Sequence, residues 1–383
     1  MIAADAQPGE GQRDLGDVQA EAPGPTVIVI AAIHGNEPAG VLAARQVIAA
    51  LQAGSTRLCG GRVAGLVGNL GAMQAGVRGR VRDLNRAWTA DQIAAVRAQH
   101  PDADDPEQAE QRALLGRLED LFETARGPVV VLDLHTTSGG GPPFTVPPDT
   151  LAARRLGLAL PFPLILGLLE SVDGTVGEWV TRRGHTGLGV ETGQHTDPQA
   201  VSLHAATIWR ILHALGQIDA EPPEVAQAFA QVPADLPSVV VLAHRHGVTP
   251  GDGFHMRPGY AGFQRVRRGE VLAFDRAGPV VAPMTGRLLM PLYQQQGSDG
   301  FFVVRDVRRP WLVASSVLRR AGGHLLVRAL GARMAEEELH FDRPPGAPAR
   351  ALLVLLGYRR QELDGQRLRA HRLQEPRRRP RRR

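Results

Sequence analysis

The chain alternates short apolar runs with longer stretches in which apolar positions recur at helical spacing. Residues 26–33 form one such run, and residues 129–134 form another, broken only by Asp133. Short runs this rich in Val and Ile predict strands buried on both faces. Residues 38–52, rich in Ala, Val and Leu, predict a helix directly after the first strand. Residues 61–69 then predict a strand, with Val63, Leu66 and Val67 apolar, and residues 107–125 a helix with Leu114, Leu115, Leu118, Leu121 and Phe122 on one face. A strand at 185–191 and a helix at 198–215 complete the series. Strands alternating with helices predict an α/β body over residues 25–218, with a mixed, mostly parallel sheet flanked by helices. In such sheets ligands sit beyond the carboxyl ends of the strands, where His34, His135 and Glu191 fall.

The texture changes on either side of this body. Residues 1–24 carry Gly, Pro, Gln and acids without periodicity and read as a disordered leader. The proline-rich stretch 219–237 reads as a linker. Over residues 238–309 short apolar runs are separated by turn signals such as Pro258-Gly259-Tyr260, which predicts a smaller all-β domain. Residues 310–383 read as a helical extension ending in an arginine-rich tail. Helical spacing persists to about residue 338; the stretch around Trp311 could rest on a membrane surface, but packing on the body or another subunit explains it better.

Composition changes this picture little. All 44 basic residues are arginine, and the formal charge is +5. Six of those arginines are Arg377–Arg379 and Arg381–Arg383, so the folded body has no general attraction to nucleic acid. Cys59 is the sole cysteine, which excludes an internal disulfide and a four-cysteine zinc site. No apolar run reaches the roughly 18 residues of a membrane-spanning helix, and the start lacks a secretory pattern. The cytoplasm is the expected compartment. Homo-oligomerisation is left open.

The chemistry concentrates at strand ends. His34 and Glu37 stand at i and i+3 behind the first strand, and His135 stands behind the second. Two imidazoles and one carboxylate make the open three-ligand set of a catalytic zinc site, with a fourth position for water. Taken alone, the pair fits a helix-start histidine with a solvated glutamate better than a metal site. Asp133 fits either a carboxylate that fixes a ligand imidazole or a turn residue. The stretch from Arg78 to Arg86 holds Asp83-Leu84-Asn85-Arg86, which suits bidentate recognition of a carboxylate or a solvated basic loop. Glu191, within Gly189-Val190-Glu191-Thr192-Gly193, suits a general base or a strand-end acid paired with an arginine. His244 and His246 share one strand face without an acidic partner nearby.

The ordered set His34-Gly-Asn-Glu37, Asp83-Leu-Asn85-Arg86, Asp133-Leu-His135 and Val190-Glu191-x-Gly193 resembles the succinylglutamate desuccinylase/aspartoacylase family, of the zinc carboxypeptidase-like folds. The likeness runs from about residue 26 to 215, and the β region resembles that family's C-terminal domain. It implies one zinc ion held by His34, Glu37 and His135, and Glu191 as general base. It also implies Arg78 as the group that polarises the scissile carbonyl, Asn85 and Arg86 as the grip on a substrate carboxylate, and Asn69 as their upstream companion. The family's arginine for a second carboxylate has no direct counterpart: Thr181 occupies its position, with Arg182, the candidate for that role, and Arg183 just beyond. Tyr293 would close over the substrate or equally belong to the core of the β region. The chain departs from the family at Gly79-Arg80-Val81-Arg82 and in its long C-terminal extension.

The expectation is a zinc-dependent hydrolase that cleaves the amide bond of a small, carboxylate-bearing N-acyl compound. A metallocarboxypeptidase acting on peptides would use the same ligands. A non-catalytic carboxylate-binding module is the third option, although such a module has no need of Glu191.

Overall fold

The computed structural model describes residues 12–323, 327, 331–335, 338–364 and 367–373. The opening of the expected leader and the arginine tail lie outside these residues. The chain divides into two compact units. One comprises the residues up to Thr136 with His195–Phe229, and the other Thr137–Gln194 with the chain from Ala230 onward. The segment 137–194, expected within the body 25–218, is therefore grouped with the C-terminal half. Among the described residues no helix is long and apolar enough to cross a membrane.

In the first unit β1 (Asp14–Gln19), β2 (Thr26–Ala31), β3 (Arg62–Val67) and β4 (Val129–Thr137) stand in the order β1-β3-β2-β4. β2 is central and runs parallel to both neighbours, with Thr26 opposite Arg62 and Val129. All six of its residues are buried, as a strand covered on both faces requires, and each Val or Ile so buried stabilises by about 1.5–3 kcal/mol. The helix Ala39–Gln52 turns Val41, Val47, Ile48 and Leu51 inward and packs against the helix Ala200–Ala214. The helix Pro106–Glu123 starts at a capping box between Asp105 and Gln108. That box satisfies backbone N–H groups that would otherwise lack partners.

Two expectations fail here. Residues 14–19, read as disordered leader, form an edge strand antiparallel to β3. Leu15 packs with Ala31, Ala32, Val41 and Val67, and the Arg13 guanidinium donates to the carbonyls of Val67 (2.7 Å) and Gly68 (2.8 Å). Within the expected linker lies the helix Pro223–Phe229, which buries Val225, Ala228 and Phe229.

The second unit continues with β5 (Phe144–Val146), β6 (Leu164–Leu166), β7 (Thr186–Gln194), β8 (Val239–Gly247), β9 (His255–Met256), β10 (Arg265–Val266), β11 (Val271–Asp275), β12 (Gly278–Val281), β13 (Gly286–Leu289) and β14 (Asp299–Asp306). Its main sheet has the order β7-β5-β6-β8-β14-β13-β10, and β12-β11-β9 form a small second sheet. Pairing is antiparallel from β8 through β14, β13 and β10, in keeping with the turn-rich texture of that region.

The extension is not wholly helical. It contains the helices Arg309–Arg320 and Ala347–Leu355 and a four-stranded antiparallel sheet of β15 (Arg333–Ala335), β16 (Glu338–Phe341), β17 (Arg360–Asp364) and β18 (Arg367–His371), ordered β15-β16-β18-β17. Leu339, Phe341, Leu353, Leu356, Tyr358 and Leu368 form its core.

A charged clamp joins the extension to the rest of its unit. The buried Asp149 carboxylate pairs with Arg154 (2.5 Å), Arg319 (3.1 Å) and Arg359. Burial pushes this carboxyl up, but the arginines outweigh it and hold it well below the usual range. Glu170, which accepts the Asp149 N–H at 2.6 Å, is instead pushed up to about 7 by burial and by the Asp149 charge. A carboxyl raised in the folded state contributes stability that is full below its unfolded value of 4.5 and lost as pH rises through the folded value. Glu170→Gln is therefore expected to gain stability relative to the parent as pH rises from 4.5 to about 7, levelling at on the order of 3 kcal/mol. Urea unfolding of both proteins at acidic and alkaline pH measures this, and a difference that does not change with pH would contradict it.

Candidate functional site

The first unit brings His34, Glu37 and His135 together. At the end of β2, Ala32 takes a left-handed backbone (φ 52°). The following turn is closed by the Glu37 N–H donating to the His34 carbonyl at 3.1 Å. That turn, rather than a helix, makes the i, i+3 spacing converge. Gly35 is required there, because a Cβ would lie 2.1 Å from the Ala72 carbonyl carbon. His135 lies within β4, near its carboxyl end. One donor atom from each residue lies within 4.8 Å of the others, and all three side chains are buried.

The ring nitrogens show what this arrangement suits. His34 Nδ1 is 3.0 Å from Glu37 Oε1, and His135 Nδ1 is 3.1 Å from Glu37 Oε2. The opposite nitrogens each meet another carboxylate: His34 Nε2 is 3.0 Å from Asp83 and His135 Nε2 is 2.8 Å from Asp133. With the Nε2 protons donated to Asp83 and Asp133, both Nδ1 lone pairs face the Glu37 carboxylate. Acceptors facing acceptors in a buried site need a proton or a cation between them. Two nitrogens and one oxygen form a donor set that zinc takes, and the two outer carboxylates are the groups that orient ligand imidazoles. Burial pushes the Glu37 carboxyl up, yet His34 and His135 overcome it and hold it well below the carboxylate range. Burial pushes the His135 imidazole down, yet Asp133 and Glu37 hold it well above its ordinary value.

Arg78, Asp83 and Asn85 stand against this cluster. Asp83 accepts from Arg78 Nη2 at 2.8 Å while meeting His34 with its other oxygen, and Arg78 Nη1 is 3.6 Å from Glu37. Asn85 Nδ2 lies 3.3 Å from both Asp133 and His135 Nε2. Arg86, on the same single turn Leu84–Arg86, donates to the Asn85 carbonyl at 2.9 Å. Asn69 is committed elsewhere. It caps the helix Leu70–Ala75 by accepting the Ala72 N–H at 3.0 Å, and its amide lies 3.4 Å from Glu107.

Glu107 is a residue that sequence reasoning missed. Buried on the helix Pro106–Glu123, it accepts the backbone N–H groups of Arg80 (2.6 Å), Val81 (2.8 Å) and Arg82 (3.3 Å), and so fixes the loop that follows Arg78. The clue in the sequence is three consecutive N–H groups in a glycine-bearing loop, which need an acceptor. The role of Asp83 against His34 was likewise not read from the motif.

The remaining candidates belong to the second unit. Glu191 is buried on β7, opposite Phe144 of β5. Arg182 pairs with Glu178 one helical turn away at 3.0 Å. Tyr293 donates its hydroxyl to the Arg257 carbonyl at 2.8 Å and accepts the Tyr260 N–H at 3.0 Å. His246 stacks on Phe301 with ring centroids 4.8 Å apart. Among the described residues no three-donor group other than His34, Glu37 and His135 is found.

Residues 23–145 match the model of the succinylglutamate desuccinylase/aspartoacylase catalytic domain, a span that contains His34, Glu37, Asn69, Arg78, Asn85, Arg86 and His135 but not Glu191. Solved structures share the fold. One is a succinylglutamate desuccinylase/aspartoacylase from Rhodobacter sphaeroides, at 20% identity and TM-score 0.56 over 77% of this chain and 88% of that one. Another is an aspartoacylase family protein from Mesorhizobium loti, at 18% and 0.54 over 76% and 88%. A third is a product-bound ectoine utilization protein from Ruegeria pomeroyi, at 19% and 0.54 over 76% and 87%. No curated protein matches the sequence. The resemblance carried by the motifs therefore holds for the catalytic segment, and the mixed α/β fold is that of these structures.

If Asp83 and Asp133 fix the ligand imidazoles, Asp83→Ala and Asp133→Ala each lower zinc affinity about 10- to 100-fold. Competition against a chromophoric chelator reads this directly. Unchanged affinity in both variants would contradict it.

Proposed function

We propose that the protein is a zinc-dependent hydrolase that cleaves the amide bond of a small, carboxylate-bearing N-acyl compound, as an N-acyl amino acid deacylase. The observation that carries this reading is the buried cluster of two imidazole nitrogens and one carboxylate within 4.8 Å, each imidazole backed by a second carboxylate, inside the segment that matches the family's catalytic domain. We place it among zinc carboxypeptidase-like hydrolases and assign it to the cytoplasm.

His34, Glu37 and His135 would hold the ion. Zinc held there would supply Lewis acidity and would lower the pKa of a water to about 7. Glu191, assigned from the motif Val190-Glu191-x-Gly193, takes a proton from the attacking water as the water oxygen bonds to the acyl carbon. Arg78 directs guanidinium N–H groups at the oxyanion that forms, with Asp83 holding it in place. Glu191 then passes its proton to the nitrogen as the C–N bond breaks, releasing an amine and a carboxylic acid that ionises to the carboxylate. Asn85 and Arg86 grip the substrate carboxylate, and Arg182 and Tyr293 complete the set drawn from the resemblance.

Glu191→Gln is expected to lower turnover about 10²- to 10⁴-fold while zinc content stays that of the parent. Near-normal turnover in the zinc-loaded variant would remove the assigned base. A hydrolysis screen tests the substrate class: the zinc-loaded protein should cleave N-acyl amino acids and lose that activity to a chelator. Cleavage of C-terminal residues from peptides, with N-acyl amino acids untouched, would replace the deacylase by a carboxypeptidase.

A further inference from the structure

The helix Arg309–Arg320 is fastened on one side and bare on the other. Leu312 packs against Leu164, Leu166 and Val239, and Leu318 packs against the core of the extension. Ser315 donates to the Leu355 carbonyl at 2.5 Å and accepts from Arg154 at 3.0 Å, while Arg319 pairs with Asp149. The outward positions are apolar. Trp311, Val313 and Val317 are 55%, 61% and 58% exposed, and Ala314 and Ala321 are exposed between and beyond them. Packing on the body, one of the roles open to this stretch, thus accounts for its inner face only.

The sequence around the bare face carries one sign of charge. From Val307 to Ala335 there is no acidic residue, whereas Arg308, Arg309, Arg319, Arg320, Arg328 and Arg333 all lie in that span. Residues 307–383 contain 19 arginines and seven acids, while the preceding 306 residues contain 25 arginines and 32 acids. The positive charge therefore belongs to the extension as a whole, beyond its last six arginines. Arg308 and Arg320 are exposed at the two ends of the apolar face.

We infer that this helix is a peripheral anchor that lays Trp311, Val313 and Val317 into the surface of an anionic lipid bilayer. An exposed apolar stripe flanked by arginines on a short helix matches the interfacial mode, in which apolar side chains enter the headgroup boundary and cations meet lipid phosphates. A second copy of the chain fits poorly, because face-to-face pairing brings like-charged helix ends together. Nucleic acid fits poorly as well, since the three bulky outward side chains offer a phosphate backbone nothing but apolar surface. The clamp at Asp149 holds the helix from behind, so the stripe is already formed before it meets lipid.

Flotation of the full chain with phosphatidylcholine vesicles, with and without phosphatidylglycerol, tests this. Binding is expected only with phosphatidylglycerol and is expected to weaken with salt. Trp311→Ser combined with Val313→Ser and Val317→Ser should weaken it about tenfold or more. In the parent protein, lipids brominated along the acyl chain should quench part of the tryptophan fluorescence, and Trp311→Phe should abolish that part. This second readout needs no destabilising substitution. Equal binding by the triple variant, or no quenching by brominated lipid, would overturn the proposal. So would self-association, or duplex DNA binding in place of vesicle binding, that the triple variant loses.

Discussion

One carboxylate organises the first unit. Both oxygens of Glu37 are engaged, one with each imidazole, and its Oε2 also accepts the Thr136 N–H at 3.0 Å. A buried anion is costly unless its neighbours compensate it, so the elements that bring those neighbours are constrained together. β2 must end where the His34 turn begins, β4 must reach past His135, and the loop with Asp83 must lie against His34 Nε2. The close approach of Gly35 to the helix Leu70–Ala75 and the hold of Glu107 on the loop after Arg78 follow from that geometry. Two further carboxylates behind the imidazoles set which nitrogen faces inward, and this turns a cluster of polar residues into a donor set.

Much of this was legible in the sequence, for physical reasons. β2 and β4 are buried on both faces, so their apolar runs are unbroken and easy to read, and the histidines stand out at their ends. The helices Ala39–Gln52 and Ala200–Ala214 carry clear apolar faces and were placed within a few residues of their bounds. The family motifs supplied the order of the site residues. Glu107 was harder to single out, because a glutamate in the first turn of a helix ordinarily reads as solvated and favourable there. Its three N–H partners lie about 25 residues away in the sequence. Asn69, read as a substrate contact, also caps the helix Leu70–Ala75.

The termini were misread for a related reason. β1 offers only Leu15 and Val18 as apolar residues, and an edge strand that pairs on one side needs little more. In the extension, Leu339 and Phe341, and Leu368 and Ala370, alternate with polar residues at the period of a strand. That signal was present but short, and the helical spacing before it dominated the reading. The result is a unit whose charged clamp at Asp149 gathers arginines from three separate segments.

X-ray absorption at the zinc edge of the loaded protein tests the central claim most directly. The account predicts nitrogen and oxygen neighbours at about 2.0–2.1 Å, with two imidazoles, and one of them lost in His135→Ala. A sulfur neighbour at about 2.3 Å, or a zinc environment that His34→Ala and His135→Ala both leave unchanged, would contradict it.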